Sequence, residues 1–308
     1  MTRIVLHIGM NKTGSTAIQS FFLDNAAALG RQGVLYPETG RGRFRQHLEL
    51  ARALGFDLGG RPAPETGPEA LRRALDAEIA RAGADLVVLS SENFSRRRDP
   101  ARVAAFFAGH DVRILVYVRR HDDWWASRYA QAVQMVTNPP WDPGFVAYWE
   151  HERKRPGLHQ SYRGMLESWA GAFGHDALVV RPYEPAQMSP DLVSDMLAAI
   201  GAGPGVRGLH GGDVWHNRSL SAEGLAEIDA IQRSRAPGPL RQKRIRAAVD
   251  RDAGRAGGLR GAAMIPPDLR WRMVAENLDD YAHIARHHLG RADGRLFMAP
   301  LPDREHPP

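Results

Sequence analysis

Leu6-His-Ile-Gly-Met-Asn-Lys-Thr-Gly-Ser-Thr-Ala-Ile-Gln19 is the stretch that decides the fold. An apolar run (Ile4, Val5, Leu6, Ile8) enters a loop bounded by Gly9 and Gly14, and an amphipathic helix leaves it. A strand, a glycine-bounded loop and a helix in succession aim backbone N–H groups and the positive end of a helix at one place, which suits an anion. The loop of nucleotide triphosphatases reads GxxxxGK[ST], with lysine after the second glycine. Here Gly9 and Gly14 keep that glycine spacing, but Ser15 and Thr16 follow directly and Lys12 sits inside the loop. A lysine so placed suits the bridging oxygen of a shorter ligand, one phosphate followed by a transferable group. Ser15 and Thr16 then hold the phosphate with hydroxyls and the first helical amides. The other reading is a glycine-rich turn carrying a solvated lysine, and the loop alone leaves both open.

Working outward, strands and helices alternate over the first two-thirds of the chain. Periodicity and turn residues predict strands at about Arg3–Ile8, Gly33–Pro37, Asp85–Ser90, Val112–Val118 and Ala177–Val180. They predict helices at about Ser15–Leu29, His47–Leu54, Glu69–Arg81, Pro100–Ala108, Asp122–Val136, Tyr162–Phe173 and Pro190–Ile200, with a surface loop at 58–68. Leu86-Val-Val-Leu89 is continuously apolar, the mark of a strand buried on both faces. This order predicts an α/β fold, a parallel sheet flanked by helices, with ligands beyond the carboxyl ends of the strands. Three polar clusters fall at such ends: the first loop, Ser90-Ser-Glu-Asn93 and Arg119-Arg-His121. After residue 201 the chain reads as a helical C-terminal extension, with loops at 201–213, 234–240 and 253–262 and a final helix from Pro267 to His288. We expect one domain over 1–308, its α/β core at about 1–200 and the helical portion at about 201–300, ending in a frayed tail.

Bulk composition narrows the classes. The 308 residues include 41 Lys and Arg against 35 Asp and Glu, and this modest basic excess suits an anionic ligand without choosing one. The chain has no cysteine, which excludes disulfides, thiolate metal sites and cysteine nucleophiles. No apolar run approaches a membrane span and the chain opens on a strand, so the expectation is a cytoplasmic protein without stable membrane insertion.

The second chemical cluster is Val118-Arg-Arg-His-Asp-Asp-Trp-Trp-Ala-Ser127. Arg119 ends a strand, and Ser127 falls two turns into the next helix. A guanidinium and a hydroxyl converging on one phosphate is one arrangement. Ion pairing of Arg119 or Arg120 with Asp122 or Asp123 is the other. With the first loop, this pair resembles the sulfotransferases that use 3′-phosphoadenosine 5′-phosphosulfate (PAPS). Their first motif has lysine inside a strand–loop–helix, matched by Lys12-Thr-Gly-Ser-Thr16. Their second has a strand-terminal arginine with a serine eight positions on, matched by Arg119 and Ser127. Bacterial members are similar also in the opening at residues 7–16, in Tyr36-Pro37 and in Ser90-Ser91-Glu92. The resemblance covers residues 1–200.

The resemblance implies a P-loop-like sulfotransferase fold and in-line transfer of a sulfuryl group from PAPS to an acceptor hydroxyl or amine, with PAP as product and no metal. It implies that the loop Asn11, Lys12, Thr13, Gly14, Ser15 and Thr16 holds the donor. Lys12 contacts the phosphosulfate, Gly14, Ser15 and Thr16 hold the 5′-phosphate, and Arg119 and Ser127 hold the 3′-phosphate. The transfer needs a base near the acceptor. Glu92 is the first choice, its alternative being a partner for Arg96, Arg97 or Arg98. His47 is the second, because it follows the basic loop Arg41-Gly-Arg-Phe-Arg45. His7 reads as a structural neighbour of the loop.

Other features match less well. Arg255-Ala-Gly-Gly-Leu-Arg-Gly261 faintly echoes a late Arg-Lys-Gly-x-x-Gly loop of the family, and Asn217-Arg-Ser-Leu220 is either a nucleotide contact or a helix start. The runs Arg96–Arg98, Arg153-Lys-Arg155 and Arg241-Gln-Lys-Arg244 read as solvated faces or as contacts for an anionic acceptor. The acceptor is a small molecule or glycan, with a carbohydrate or glycolipid favoured. A nucleotide-dependent kinase is the competing enzyme; it needs a triphosphate-type lysine, which this chain lacks, and a magnesium carboxylate, for which the strand-end carboxylates show no signature. A nucleic-acid binder ranks below both, because the arginines are dispersed.

Overall fold

The computed structural model describes residues 2–56, 65–96, 99–155, 161–188, 190–202, 209, 220–254 and 257–303. Residues 58–64 of the expected loop, Arg97 and Arg98, the first three residues of Asn217–Leu220 and the first two of Arg255–Gly261 fall outside these, while Pro68 at the end of that loop already opens a helix.

Five strands, β1 (Arg3–His7), β2 (Val34–Leu35), β3 (Leu86–Ser90), β4 (Asp111–Val118) and β5 (Leu178–Pro182), form one sheet in the order β2-β3-β1-β4-β5. Every pairing is parallel. The helices in chain order are α1 (Ser15–Asp24), α2 (Ala26–Gly30), α3 (Leu48–Ala53), α4 (Pro68–Ala82), α5 (Ala101–Phe106), α6 (His121–Met135) and α7 (Phe145–Glu152). They continue as α8 (Tyr162–Phe173), α9 (Leu192–Ala199), α10 (Ala222–Arg233), α11 (Gly238–Ala253), α12 (Pro267–Ala275) and α13 (Leu278–Leu289). The chain is thus α/β, as the alternation predicts.

The chain divides into two compact units. The first comprises Met1–Val118, His159–Trp215 and Asp280–Met298, and the second Arg119–Leu158, His216–Asp279 and Ala299–Pro308. α6 and α7 fall in the second unit with α10, α11 and α12, and most of α13 falls in the first.

In the first unit, the strands' two-residue alternation distributes their side chains over two faces. Val5, Leu86, Val88, Leu115 and Tyr117 pack with Ile18, Phe21 and Phe22 of α1 and with Leu192 and Met196 of α9. Alternate residues, among them Ile4, Leu6, Val87, Ile114 and Val116, are buried on the other face, where α8 lies against β4 and β5. Tyr117 Oη donates to Asp195 Oδ2 at 2.6 Å, and Arg181 pairs with the same carboxylate, tying α9 to β4 and β5.

In the second unit, Trp125, Tyr129, Trp141 and Tyr148 pack ring to ring. Gln232 of α10 joins the segment after α6, its carbonyl accepting from Asn138 N and its side-chain amide donating to Gln134 O.

Two expected helices are broken, by the same device. Asn25 interrupts Ser15–Leu29, its amide Nδ2 donating to Phe21 O at 2.9 Å. Asn277 interrupts Pro267–His288, its Nδ2 donating to Met273 O at 2.8 Å. A side-chain donor four residues on competes for the carbonyl that the helix ladder uses. α11 begins at Gly238, inside the loop expected at 234–240, and α7 and α10 add helices within stretches given no defined helix.

Candidate active site

Leu6 sits opposite Leu89 of β3 and Ile114 of β4, so the carboxyl end of β1 is flanked on both sides. The loop Ile8–Gly14 leaves from there. Gly9, Lys12 and Gly14 have φ of 54°, 70° and 77°, in the left-handed region. For Lys12 this conformation is sterically costly. Gly14 is the N-cap of α1, no side chain caps that helix, and its first turn holds no acidic residue. The opening amides of α1 therefore lack the cap that a Ser or Asp supplies, and its own first turn carries no countercharge.

The loop is braced from within. Thr13 is buried and its Oγ1 donates to Met10 O at 2.7 Å. Ser15 Oγ lies 3.2 Å from the same carbonyl. Thr13 is thus occupied inside the loop by its side chain. Thr16 is exposed, whereas Asn11 and Lys12 are half-buried.

Glu92 opens a 3₁₀ turn, Glu92–Ser95, directly after β3. The loop presses against it: a Cβ on Gly9 would stand 3.2 Å from Ser15 Oγ and 3.3 Å from Glu92 Cα and Cγ. Burial raises the pKa of Glu92, against a hydrogen bond from Ser15 and the positive charges of Lys12 and Arg96. The structure thus brings Lys12, Ser15 and Glu92 into one electrostatic group.

Behind this group lies a buried polar network. Ser90 Oγ is 2.8 Å from His7 Nδ1 and accepts from Gln19 Nε2 at 3.1 Å. Ser90 N donates to His47 Nδ1 at 3.0 Å, and His47 Nε2 meets Pro37 O at 3.1 Å. His47 therefore carries its proton on Nε2, the tautomer that satisfies both contacts. Tyr36 packs edge-on against His47, 4.8 Å between centroids, and donates from Oη to Arg45 O. The three matching sequence elements, His7, Tyr36-Pro37 and Ser90-Ser91-Glu92, thus belong to one framework. Burial lowers the pKa of both His7 and His47 to about 4.

This corrects the expectation for His47. It is buried and both ring nitrogens are engaged, so it has no free lone pair to offer an acceptor hydroxyl. It is a brace between β3 and the segment after β2. His7 takes the structural position expected of it.

Two contributors went unnoticed in the sequence. A Cβ on Gly14 would run into Leu192 Cδ2 and come within 3.0 Å of Tyr183 Cε2. Leu192 opens α9 and Tyr183 follows β5. Their strand-end and helix-start positions were the available signal, but nothing local tied them to a loop about 170 residues earlier in the chain.

Arg119 and Ser127 belong to the second unit. Both are half-buried, Arg119 on the turn after β4 and Ser127 on α6. The structure realises the ion pair of Arg120 with Asp122: its Nε and Nη2 donate to Asp122 Oδ1 and Oδ2 at 2.7 and 2.8 Å. Arg270 Nε adds a bond to Asp122 Oδ2 at 2.9 Å. Burial opposes ionisation of Asp122, but the two arginines hold its pKa below the usual carboxylate range. Burial first, and then the Asp122 charge, push Asp123 up, with Arg119 opposing.

A cavity of about 420 Å³ opens at the opposite end of β4, beside Asp111, Arg113, Phe173 and Asp176. It contains none of the residues above. Among the described residues no group of three His, Cys, Asp or Glu side chains is placed to hold a metal ion, and no helix is long and apolar enough to cross a membrane.

No family model matches the chain, and no curated protein matches it. Among solved structures it is similar to the crystal structure of a sulfotransferase from Alicyclobacillus acidocaldarius, at 17% identity, over 80% of this chain and 96% of that one, with a TM-score of 0.40. A likeness of that size says nothing about activity, and the functional reading rests on the residues themselves.

Proposed function

We propose that this chain is a sulfotransferase that moves a sulfuryl group from PAPS to an acceptor hydroxyl, with a carbohydrate or glycolipid acceptor favoured. The observation that carries the reading is the uncapped start of α1 at Gly14, with Lys12 held left-handed inside the loop and Glu92 against it. Those residues fit a phosphosulfate: open amides and a positive helix end for the phosphate, a lysine for the bridging oxygen, a carboxylate for the acceptor's proton.

PAPS supplies an activated sulfuryl group. Backbone amides from Thr13 to Thr16 are assigned to the 5′-phosphate. Lys12 is assigned to the negative charge that grows on the leaving phosphate oxygen as its bond to sulfur breaks. Glu92 is assigned to take the acceptor's proton as the new oxygen–sulfur bond forms, and its raised pKa suits a group that must hold that proton. Arg119 and Ser127 are assigned to the 3′-phosphate on the strength of the motif resemblance. His47 is left out of the chemistry.

One observation keeps a second reading in play. A hydroxyl on the first turn of α1 beside a strand-end carboxylate, Ser15 and Glu92, is also the pairing of a magnesium–nucleotide site, as in a kinase. Calorimetry with PAP and with ATP plus magnesium separates the two. Tight, magnesium-independent PAP binding, lost in Arg119→Ala, is expected. Preference for ATP with magnesium overturns the reading. An acceptor screen read by mass gain of one sulfuryl group then identifies the acceptor, and Glu92→Gln is expected to abolish turnover while PAP still binds.

A further inference from the structure

The basic run Arg241-Gln-Lys-Arg244 has no place in the reaction above. It lies in α11, within a stretch from Ser234 to Val249 that contains five Arg and Lys and no Asp or Glu. Arg241 is half-buried and reaches back to Ser234 O. Arg235, Lys243, Arg244 and Arg246 are exposed and have no carboxylate partner among the described residues. Nearby arginines are paired: Arg233 with Asp229, Arg251 with Glu227 and Arg260 with Asp252. The contrast sets the four apart from an ordinary charged surface.

Their position in the helix takes no support from its dipole. Cations stabilise a helix near its C-terminus and anions near its N-terminus. Lys243, Arg244 and Arg246 lie in the middle of the 16-residue α11, outside its first turn and outside its last, where Arg251 already supplies the favourable cation. Helix stability therefore does not account for the placement. Leu240 is exposed in the same segment, at 42%. No aromatic residue occurs between Ser234 and Ala253, so the surface has no stacking platform for bases or sugar rings. Cations with one exposed leucine on a helix suit a flat surface read by charge alone.

We propose that the segment Arg235–Arg246 is a peripheral docking surface for bilayers rich in anionic lipid, held by Arg235, Lys243, Arg244 and Arg246 with Leu240 at headgroup level. The inference is independent of the reaction proposed above.

The test is co-sedimentation of the full chain with vesicles of phosphatidylcholine alone, or with about a third phosphatidylglycerol, a strongly anionic composition. Binding to the anionic vesicles only is expected, weakening as salt rises. At about fivefold per cation, the triple variant Lys243→Gln, Arg244→Gln, Arg246→Gln is expected to lose roughly a hundredfold in partitioning. The charge-preserving pair Arg244→Lys, Arg246→Lys is expected to keep it, and thermal melting confirms that each variant is folded. Equal binding to neutral vesicles overturns the proposal, as does a triple variant that binds like the parent chain. Retention on duplex DNA or a sulfated polysaccharide, without vesicle binding, also overturns it in favour of a soluble polyanion.

Discussion

β1 and β4 lie side by side in the sheet, and each runs through a turn into a helix, yet the two turns treat charge in opposite ways. The turn after β1 reaches α1 through glycine, with no side-chain cap and no acid in the first turn. The turn after β4 reaches α6 with Asp122 and Asp123 in the first turn, and Asp122 accepts from Asp123 N at 2.9 Å. Asp122 also takes three guanidinium bonds from Arg120 and Arg270. One helix start has no acid in its own first turn, while the other has built the anion into its own sequence. A strand-to-helix turn does not by itself make a phosphate site. What matters is whether its amides and charges are already satisfied.

The largest effect is expected where the satisfied turn is broken. Asp122→Ala leaves Arg120 buried without its countercharge and should cost about 3–5 kcal/mol, read by denaturant unfolding. The same carboxylate makes the turn acid-labile. Its folded pKa is depressed, so its contribution is present above the unfolded value and is lost as pH falls through the folded one.

The open turn is dissected by Lys12→Gly. Removing the charge should lower turnover by about 10²–10³, the scale of a lost oxyanion-stabilising group. Removing the Cβ from a residue with φ 70° should at the same time hold or raise the melting temperature. A parallel loss of stability and turnover would show that the side chain is structural. Gly14→Ala tests the same turn by steric means. A left-handed alanine pressed on Leu192 and Tyr183 should cost about 2–4 kcal/mol and abolish PAP binding.

The most gradual effect, spread over the acid range, is the pH response of the network behind the loop. His7 and His47 have folded pKa values lowered to about 4, below the ordinary 6.5. The unfolded chain takes up protons first, so stability should be full above about pH 6.5 and fall as pH drops toward 4, by up to about 1.4 kcal/mol per pH unit for each group. His47→Gln should flatten that slope in a series of melts. An unchanged slope would remove His47 from the account.

How much of this was legible varied with the kind of signal. The strands were readable because runs such as Leu86–Leu89 are apolar on both faces, and only a covered parallel sheet buries both. The helix breaks at Asn25 and Asn277 were not, because an asparagine in a helical pattern shows its competing hydrogen bond only once the backbone is in place. Glu92 was chosen for its strand-end position, and the structure sets it against the loop. His47 was chosen for its neighbours in sequence, and the structure buries it against Ser90, 43 residues away.

The sequence by itself determined the α/β alternation and the lysine inside a glycine-bounded first loop, because each follows from residue order and hydrophobic period. Tertiary structure alone decided which polar groups meet: Glu92 with Ser15, His47 with Ser90, Asp122 with Arg270 across 148 residues. Those pairings depend on strand order and helix packing, and the desolvation that makes them matter exists only once the core has closed.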